Sequence, residues 1–242
     1  MFPLNYKNLL NKLDLFFPRK CMSCGFDLKT PGLSYICNQC FDKIIPIEET
    51  KGTKCQYCSA FLYESQTNLC YECHTYGRAF TKNTSLFYYQ DIIIKELVHL
   101  FKFNSVLAAG RELSELINSE LNILLKKTNY DILTITPLSS DSIIKRGFNQ
   151  VAIILDHCHI PYQQLLLRKK HDKHQSELSA LERKIVIKDQ FQLDKQKSSV
   201  IAGKKILIID DIFTTGSTLN EISQVLLNNG AMSVEAITFF KD

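Results

Sequence analysis

Apolar residues recur along this chain in two rhythms, and the switch between them outlines a run of alternating strands and helices. From about residue 81, Ser85-Leu-Phe-Tyr-Tyr89 predicts a strand. Asp91 to Phe103 carries Ile94, Leu97, Val98 and Phe101 at helical spacing, and Arg111 to Lys126 does the same with Leu113, Leu116, Ile117, Leu121 and Leu124. Asp131-Ile-Leu-Thr-Ile-Thr136 predicts a second strand, stopped by Pro137. A helix near 148–157 follows, then the apolar Gln164-Leu-Leu-Leu167, then a polar, charged stretch from 168 to 190. Lys205-Ile-Leu-Ile-Ile209 predicts a buried strand, residues 217–229 a helix, and Val234 to Phe240 a last strand. Near-continuous apolar strands alternating with helices predict an α/β domain built on a parallel, doubly wound sheet flanked by helices.

The first 80 residues lack this alternation. The opening MFPLNYKNLLNKLDLFFPRK places Lys7, Lys12 and Asp14 among its apolar residues, which breaks the pattern of a secretory leader. Leu9, Leu10, Leu13, Phe16 and Phe17 instead predict a short amphipathic helix packed on the protein itself. No apolar run approaches the roughly 20 residues of a membrane span. The expected location is cytoplasmic, where thiols stay reduced and clustered cysteines favour metal over disulfides. That matters because nine cysteines occur in 242 residues, eight of them before residue 74.

Those eight form four CxxC pairs: Cys21/Cys24, Cys37/Cys40, Cys55/Cys58 and Cys70/Cys73, separated by 12, 14 and 11 residues. A CxxC turn aims two sulfurs at one point, and two such turns complete a tetrahedral four-cysteine zinc site. Eight ligands predict two structural Zn²⁺ sites, paired either in sequence or outer with outer and inner with inner. Gly25 after Cys24 suits the tight backbone of a knuckle. Redox chemistry at CxxC fits poorly, since four repeated pairs lack a thioredoxin-like strand–helix setting. The expected organisation is an N-terminal helix and double zinc ribbon over residues 1–80, then the α/β domain over 81–242. Charge alters this picture little. With 29 basic and 25 acidic residues the formal charge is +4, and each zinc held by four thiolates carries two negative charges, so two sites would offset it. Attraction to polyanions must come from local patches.

The most specific stretch of the α/β part is Ile206-Leu-Ile-Ile-Asp-Asp-Ile-Phe-Thr-Thr-Gly-Ser-Thr218. It runs off a buried strand into two acids and then a small hydroxyl-rich loop that opens a helix. Ligands of such sheets bind beyond the carboxyl ends of the strands. Thr214, Thr215, Gly216, Ser217 and Thr218 can offer backbone N–H groups and hydroxyls to a phosphate at a helix N-terminus. Asp210 and Asp211 would repel a bare phosphate, so they suit ribose hydroxyls or a phosphate-bound Mg²⁺. The GxxxxGK[ST] spacing of an ATPase loop is absent.

This stretch resembles the phosphoribosyl-pyrophosphate (PRPP) motif of type I phosphoribosyltransferases. The resemblance implies that Asp210 and Asp211 contact the ribose hydroxyls and that Thr214–Thr218 holds the 5′-phosphate. Across nearly its whole length the chain is similar to the ComF competence-protein family, which includes the GntX-type proteins. The similarity rests on the cysteine knuckles, the Ile94-Lys-Glu-Leu and Leu100-Phe-Lys-Phe103 segments, and Pro137 followed by Lys145-Arg-Gly-Phe-Asn-Gln150. It also rests on Gln175-Ser-Glu-Leu-Ser-Ala-Leu-Glu-Arg183 leading to Phe191. One departure is Val186, where the family usually has Asn three residues after that arginine. The resemblance implies a protein that handles incoming single-stranded DNA in the cytoplasm during natural transformation and that binds PRPP with Mg²⁺. An active phosphoribosyltransferase with an unknown acceptor is the alternative. A DNA-uptake helicase or channel protein is the partner class suggested by the zinc module.

Other residues enter as candidates. Arg146, just past a strand end, is placed to meet a pyrophosphate. Lys102, Arg146, Arg168, Lys169 and Lys170 form the candidate nucleic-acid set, with Phe101, Phe103 and Phe148 as stacking aromatics. His157-Cys158-His159 resembles a metal patch, but consecutive side chains converge poorly, and Cys158 is expected to be a small core residue.

Overall fold

The structure is a computed structural model and describes residues 19–28, 35–62, 68–169 and 190–242. The amphipathic helix expected before residue 19, together with Lys170, the 175–183 segment and Val186, lies outside the described residues. In chain order the elements used below are α1 (Asn38–Phe41), α2 (Tyr71–Tyr76), β1 (Lys82–Tyr88), α3 (Ile92–Phe103), α4 (Leu107–Lys127), β2 (Ile132–Ile135), α5 (Ser140–Arg146) and α6 (Gln150–His157). They continue with β3 (Leu166–Arg168), β4 (Phe191–Leu193), α7 (Ser198–Ile201), β5 (Lys205–Phe213), α8 (Ser217–Asn228) and β6 (Ser233–Lys241).

Strands β1, β6, β5 and β2 pair in that order, all parallel. The central pair is buried on both faces, and β5 alternates between two cores. Leu207 and Ile209 face α3, α4 and α6, whereas Ile206 and Ile208 face α8 and the β3–β4 hairpin. This is the doubly wound arrangement that the apolar strands predict. Two elements go beyond the periodicity. β5 extends through both acids to Phe213 rather than ending at Ile209, and α5, which is too short and polar to show a rhythm, follows β2.

Local chemistry sets the helices. The Asp91 carboxylate caps α3 by accepting from the Ile93 N–H (2.8 Å) and the Ile94 N–H (3.2 Å). α3 buries Ile94, Leu97, Val98 and Phe101 on one stripe, and α4 crosses it at Gly110. A Cβ at Gly110 would sit 2.5 Å from the Phe101 ring, so the two helices pack at a distance only glycine permits. At the end of β2 the Asn149 side chain does two jobs. It caps α6 through the Val151 N–H (2.9 Å) and donates to the Thr136 carbonyl (3.0 Å), locking helix to strand.

The ribbon segments are part of these two cores. Cys21, Leu28, Ile36, Cys40 and Ile44 share the core of α3 and α4. There the Tyr35 N–H donates to the buried Glu112 carboxylate of α4 at 2.6 Å. Cys55, Cys58 and Cys73 share the opposite core. The Ser59 hydroxyl meets β1 twice, donating to the Asn83 carbonyl (3.3 Å) and accepting from the Ser85 N–H (3.2 Å). The second ribbon thereby covers the β1 edge, which would otherwise offer unpaired backbone groups to any passing strand. Among the described residues no helix is long and apolar enough to cross a membrane.

Candidate functional site

The two halves of the cysteine region are built alike. Each begins with a knuckle closed by a residue of positive φ immediately after its second cysteine, Gly25 (+72°) in one and Ser59 (+60°) in the other. Each ends with a cysteine at a helix start, Cys37 before α1 and Cys70 before α2, and the fourth cysteine inside that helix. The four sulfurs of Cys21, Cys24, Cys37 and Cys40 lie within 4.8 Å of one another, as do those of Cys55, Cys58, Cys70 and Cys73. The Cys24–Cys37 and Cys58–Cys70 sulfurs are 3.7 and 3.6 Å apart, close to the roughly 3.8 Å edge of a tetrahedron with zinc–sulfur bonds of about 2.3 Å. Four converging thiols, with no other donor in either cluster among the described residues, fit zinc. The pairing is sequential, which settles the alternative that spacing left open. Cys158 stands apart, its thiol directed at the Ser114 carbonyl (3.6 Å) on α4.

At the far end of β5, Asp210 and Asp211 are consecutive and therefore point to opposite faces of the sheet. Each carboxylate accepts from the next backbone N–H, Asp210 from Asp211 (2.8 Å) and Asp211 from Ile212 (2.7 Å). The second oxygen of Asp211 takes the Lys102 ammonium at 2.5 Å, and both side chains are largely buried. Asp210 is left with the burden. Burial first, and then the neighbouring Asp211 charge, push its carboxyl up to about 7. The loop beyond rises to α8 through Gly216, which takes a φ of +75°. A Cβ there would lie 2.6 Å from the Phe213 ring, so geometry and space both demand glycine. Thr214, Thr215, Ser217 and Thr218 are exposed around it, the Thr215 and Ser217 hydroxyls 2.8 Å apart. The N-terminus of α8 has no acidic residue in its first turn and no side chain bonded from its N-cap position. It is open to an anion.

Beside the acids, Lys102, Phe103, Asp141, Ser142, Lys145 and Arg146 line a cavity of about 260 Å³. The Arg146 guanidinium lies over the exposed Phe103 ring, 5.9 Å from its centre. A second cavity of about 260 Å³ joins the second ribbon to the loop, between Cys58, Tyr71, Arg78, Phe213, Thr214 and Lys241.

A phosphoribosyl transferase domain matches residues 142–242, and a double zinc ribbon domain matches residues 12–74. The chain is therefore similar to a double zinc ribbon in its first part and to a phosphoribosyl transferase domain in its last. It is 27% identical to a protein named Competence protein ComFC of Streptococcus pneumoniae, over 92% of this chain and all of that one. It is 28% identical to a DNA utilization protein YhgH of Escherichia coli, over 86% of this chain and 96% of that one. A Competence protein ComFC of Bacillus subtilis matches at 27%, over 85% of this chain and 84% of that protein. The expected likeness to the ComF family therefore stands. The matched part of the transferase domain begins within α5, so β1 and β2, half of the sheet's strands, lie outside it.

In the transferase domain the candidate basic residues divide. Lys102 and Arg146 share the cavity beside Asp211, whereas Arg168 and Lys169 belong to the β3–β4 hairpin of the other core. Arg168 is engaged there: it donates to the Gln190 side-chain carbonyl (2.6 Å) and lies over the Phe191 ring. Burial lowers its basicity, while the charges of Glu221 and Asp210 act against that shift. The aromatics divide too. Phe101 is a core residue, 1% exposed and stacked on Phe148 at 5.1 Å, and of the three only Phe103 is exposed, its ring flanked by His99 and Arg146. Lys145 and the Lys102–Asp211 pair escape sequence reasoning, because they depend on how α3 meets α5 and the end of β5.

Two outcomes follow from this geometry. Metal analysis of the purified protein should give two zinc ions per chain, and Cys58→Ser should remove one and lower the thermal midpoint. A folded, metal-free protein would contradict the tetrads. For Asp210, the folded carboxyl holds its proton to about 7 against an ordinary value of 3.8. The folded state therefore binds more protons than the unfolded chain between those values, and its stability falls as pH rises through that window. In magnesium-free buffer, the unfolding free energy of the wild type relative to Asp210→Asn should decline from about pH 4 to 7. A flat difference in urea titrations would refute the burial of this charge.

Proposed function

We propose that this is a ComF-type DNA-handling protein. It engages incoming single-stranded DNA in the cytoplasm during natural transformation and carries a PRPP-type pocket at the end of β5. The observation that carries the proposal is the adjacency of two recognition chemistries. An acidic strand end and anion-ready loop suited to a phosphorylated ribose sit beside a basic cavity with an exposed aromatic ring. Likeness to proteins named for competence and DNA utilization supports the DNA half of the reading.

In this reading Asp210 and Asp211 receive the ribose hydroxyls and the Thr214–Thr218 loop receives the 5′-phosphate. Arg146 faces the pyrophosphate or a strand phosphate. The carboxylate oxygens fit the oxygen preference of Mg²⁺, which would enter with the pyrophosphate and neutralise its charge. DNA is held through backbone charge at Lys102, Lys145 and Arg146 and through a base on Phe103. Arg168 and Lys169 would extend the contact along the hairpin side, and Lys170 joins that set by its place in the sequence. The unit boundary falls near residue 80, and the ribbons offer a face to a DNA-uptake helicase or channel protein.

A second reading, an active phosphoribosyltransferase, is favoured by the cavity that runs from Thr214 to the second ribbon, which has room for an acceptor. In that case the acceptor attacks the anomeric carbon, pyrophosphate leaves with the bonding pair, and the acceptor's proton passes to solvent or a nearby base.

A gel shift with single-stranded oligonucleotide, with and without PRPP and Mg²⁺, tests the proposal. Binding should weaken steeply between about 50 and 200 mM salt, and the double variant Lys145→Gln, Arg146→Gln should reduce the log–log salt slope by about 1.4. Binding indifferent to salt, or none, would overturn it. Release of pyrophosphate from PRPP with any of a panel of bases, abolished by Asp210→Asn with Asp211→Asn, would favour the transferase.

A further inference from the structure

Lys102 belongs to two sites at once. Its ammonium is bonded to Asp211 at 2.5 Å, and its side chain also walls the cavity of Phe103, Lys145 and Arg146. The pair is well shielded, with the two side chains 13% and 22% exposed. A shielded charge deprived of its partner is costly, so Lys102 will leave Asp211 only if both charges find replacements. Both oxygens of Asp211 are already engaged, one by the Ile212 N–H and the other by Lys102. A ligand hydroxyl that approaches the second oxygen of Asp211 therefore shares it with the ammonium and weakens the pair. On the other side, Lys145 and Arg146 stand in the cavity against Asp141, while the charge of Lys102 is spent on Asp211. A phosphodiester entering that cavity supplies the anion that a displaced Lys102 needs.

We propose that Lys102 is a shared cation that couples the two sites, so that a ribose phosphate on Asp211 releases Lys102 to a DNA phosphate in the cavity of Lys145, Arg146 and Phe103. The inference rests on the phosphoribosyl and DNA reading of the preceding subsection and adds its regulation. Each ligand re-partners the group that the other frees, the sugar hydroxyls donating to the Asp211 carboxylate and the phosphodiester pairing with the Lys102 ammonium, so the two bind with positive cooperativity. Thermodynamic linkage makes the effect reciprocal: DNA in the cavity tightens the sugar phosphate by the same factor. The DNA-binding cavity is held partly neutral until the acidic strand end is occupied.

Ribose 5-phosphate is the clean probe, because it has the hydroxyls and the 5′-phosphate but no pyrophosphate to enter the cavity itself. Its binding to the full-length zinc-loaded protein is measured by calorimetry. Oligothymidine affinity is then measured by fluorescence anisotropy, with and without saturating ribose 5-phosphate. The wild type should bind DNA at least about fivefold more tightly in the presence of the sugar, the lower end of ordinary coupling. Lys102→Gln should bind DNA weakly and to the same extent with or without the sugar. Asp211→Asn, which frees the ammonium, should bind DNA more tightly than the wild type without any sugar.

The two variants move DNA affinity in opposite directions, which loss of folding cannot do. If ribose 5-phosphate binds the wild type but leaves DNA affinity unchanged, the coupling is wrong while the phosphoribosyl reading stands. The coupling is equally wrong if Lys102→Gln responds as the wild type does. If ribose 5-phosphate does not bind at all, the phosphoribosyl reading itself falls and the coupling with it.

Discussion

Two carboxylates on consecutive residues at the end of a strand buried on both faces are the constraint around which this molecule is arranged. In water such a pair is unremarkable; at the carboxyl end of a parallel sheet each charge needs its own solution. Asp211 receives a cation from α3, and Asp210 relies on a backbone N–H and holds its proton to about neutrality. The first solution fixes α3. Its capping aspartate starts the helix at residue 92, its apolar stripe seats it against the sheet and α4, and its last turn delivers Lys102 to the acid. The close approach of Gly110 to Phe101 is part of the same arrangement, since it sets how deeply α3 and α4 settle together.

The zinc ribbons follow from a different shortage. Residues 19–62 and 68–80 contain few large apolar side chains, and metal binding of on the order of 10 kcal/mol per site supplies folding energy that their packing lacks. They do not stand aside from the transferase domain. One tetrad contributes to the core beneath α3 and α4 and the other to the core beneath α8, so zinc supports both faces of the sheet. The second ribbon also closes the β1 edge through Ser59 and walls the cavity that reaches Thr214. A change in the second ribbon therefore reaches the loop through packed side chains.

Much of this was legible in the residues. The strand–helix alternation follows from continuous apolar runs such as Lys205–Ile209 and from stripes such as Ile94–Leu97–Val98–Phe101, because burial on two faces or one leaves those patterns. The tetrads were legible because CxxC spacing constrains where sulfurs can point, although only packing decides which knuckles pair. Gly216 was legible as a loop glycine, whereas the Phe213 ring that enforces it was not. Proximity between α3 and α5 was out of reach. The cavity of Lys102, Lys145, Arg146 and Phe103 joins residues some 40 positions apart in sequence, and no local pattern records it. Phe101 shows the converse error. Its type suits base stacking, but its place on the apolar stripe buries it against Phe148.

A crystal structure of the protein with PRPP and Mg²⁺ tests the central claim most directly, because the claim concerns where each charge goes. The account predicts the 5′-phosphate on the backbone of residues 214–218, the ribose hydroxyls on Asp210 and Asp211, and the Lys102 ammonium drawn away from Asp211 toward the pyrophosphate beside Arg146. A ligand bound elsewhere, with the Lys102–Asp211 pair intact, would contradict it.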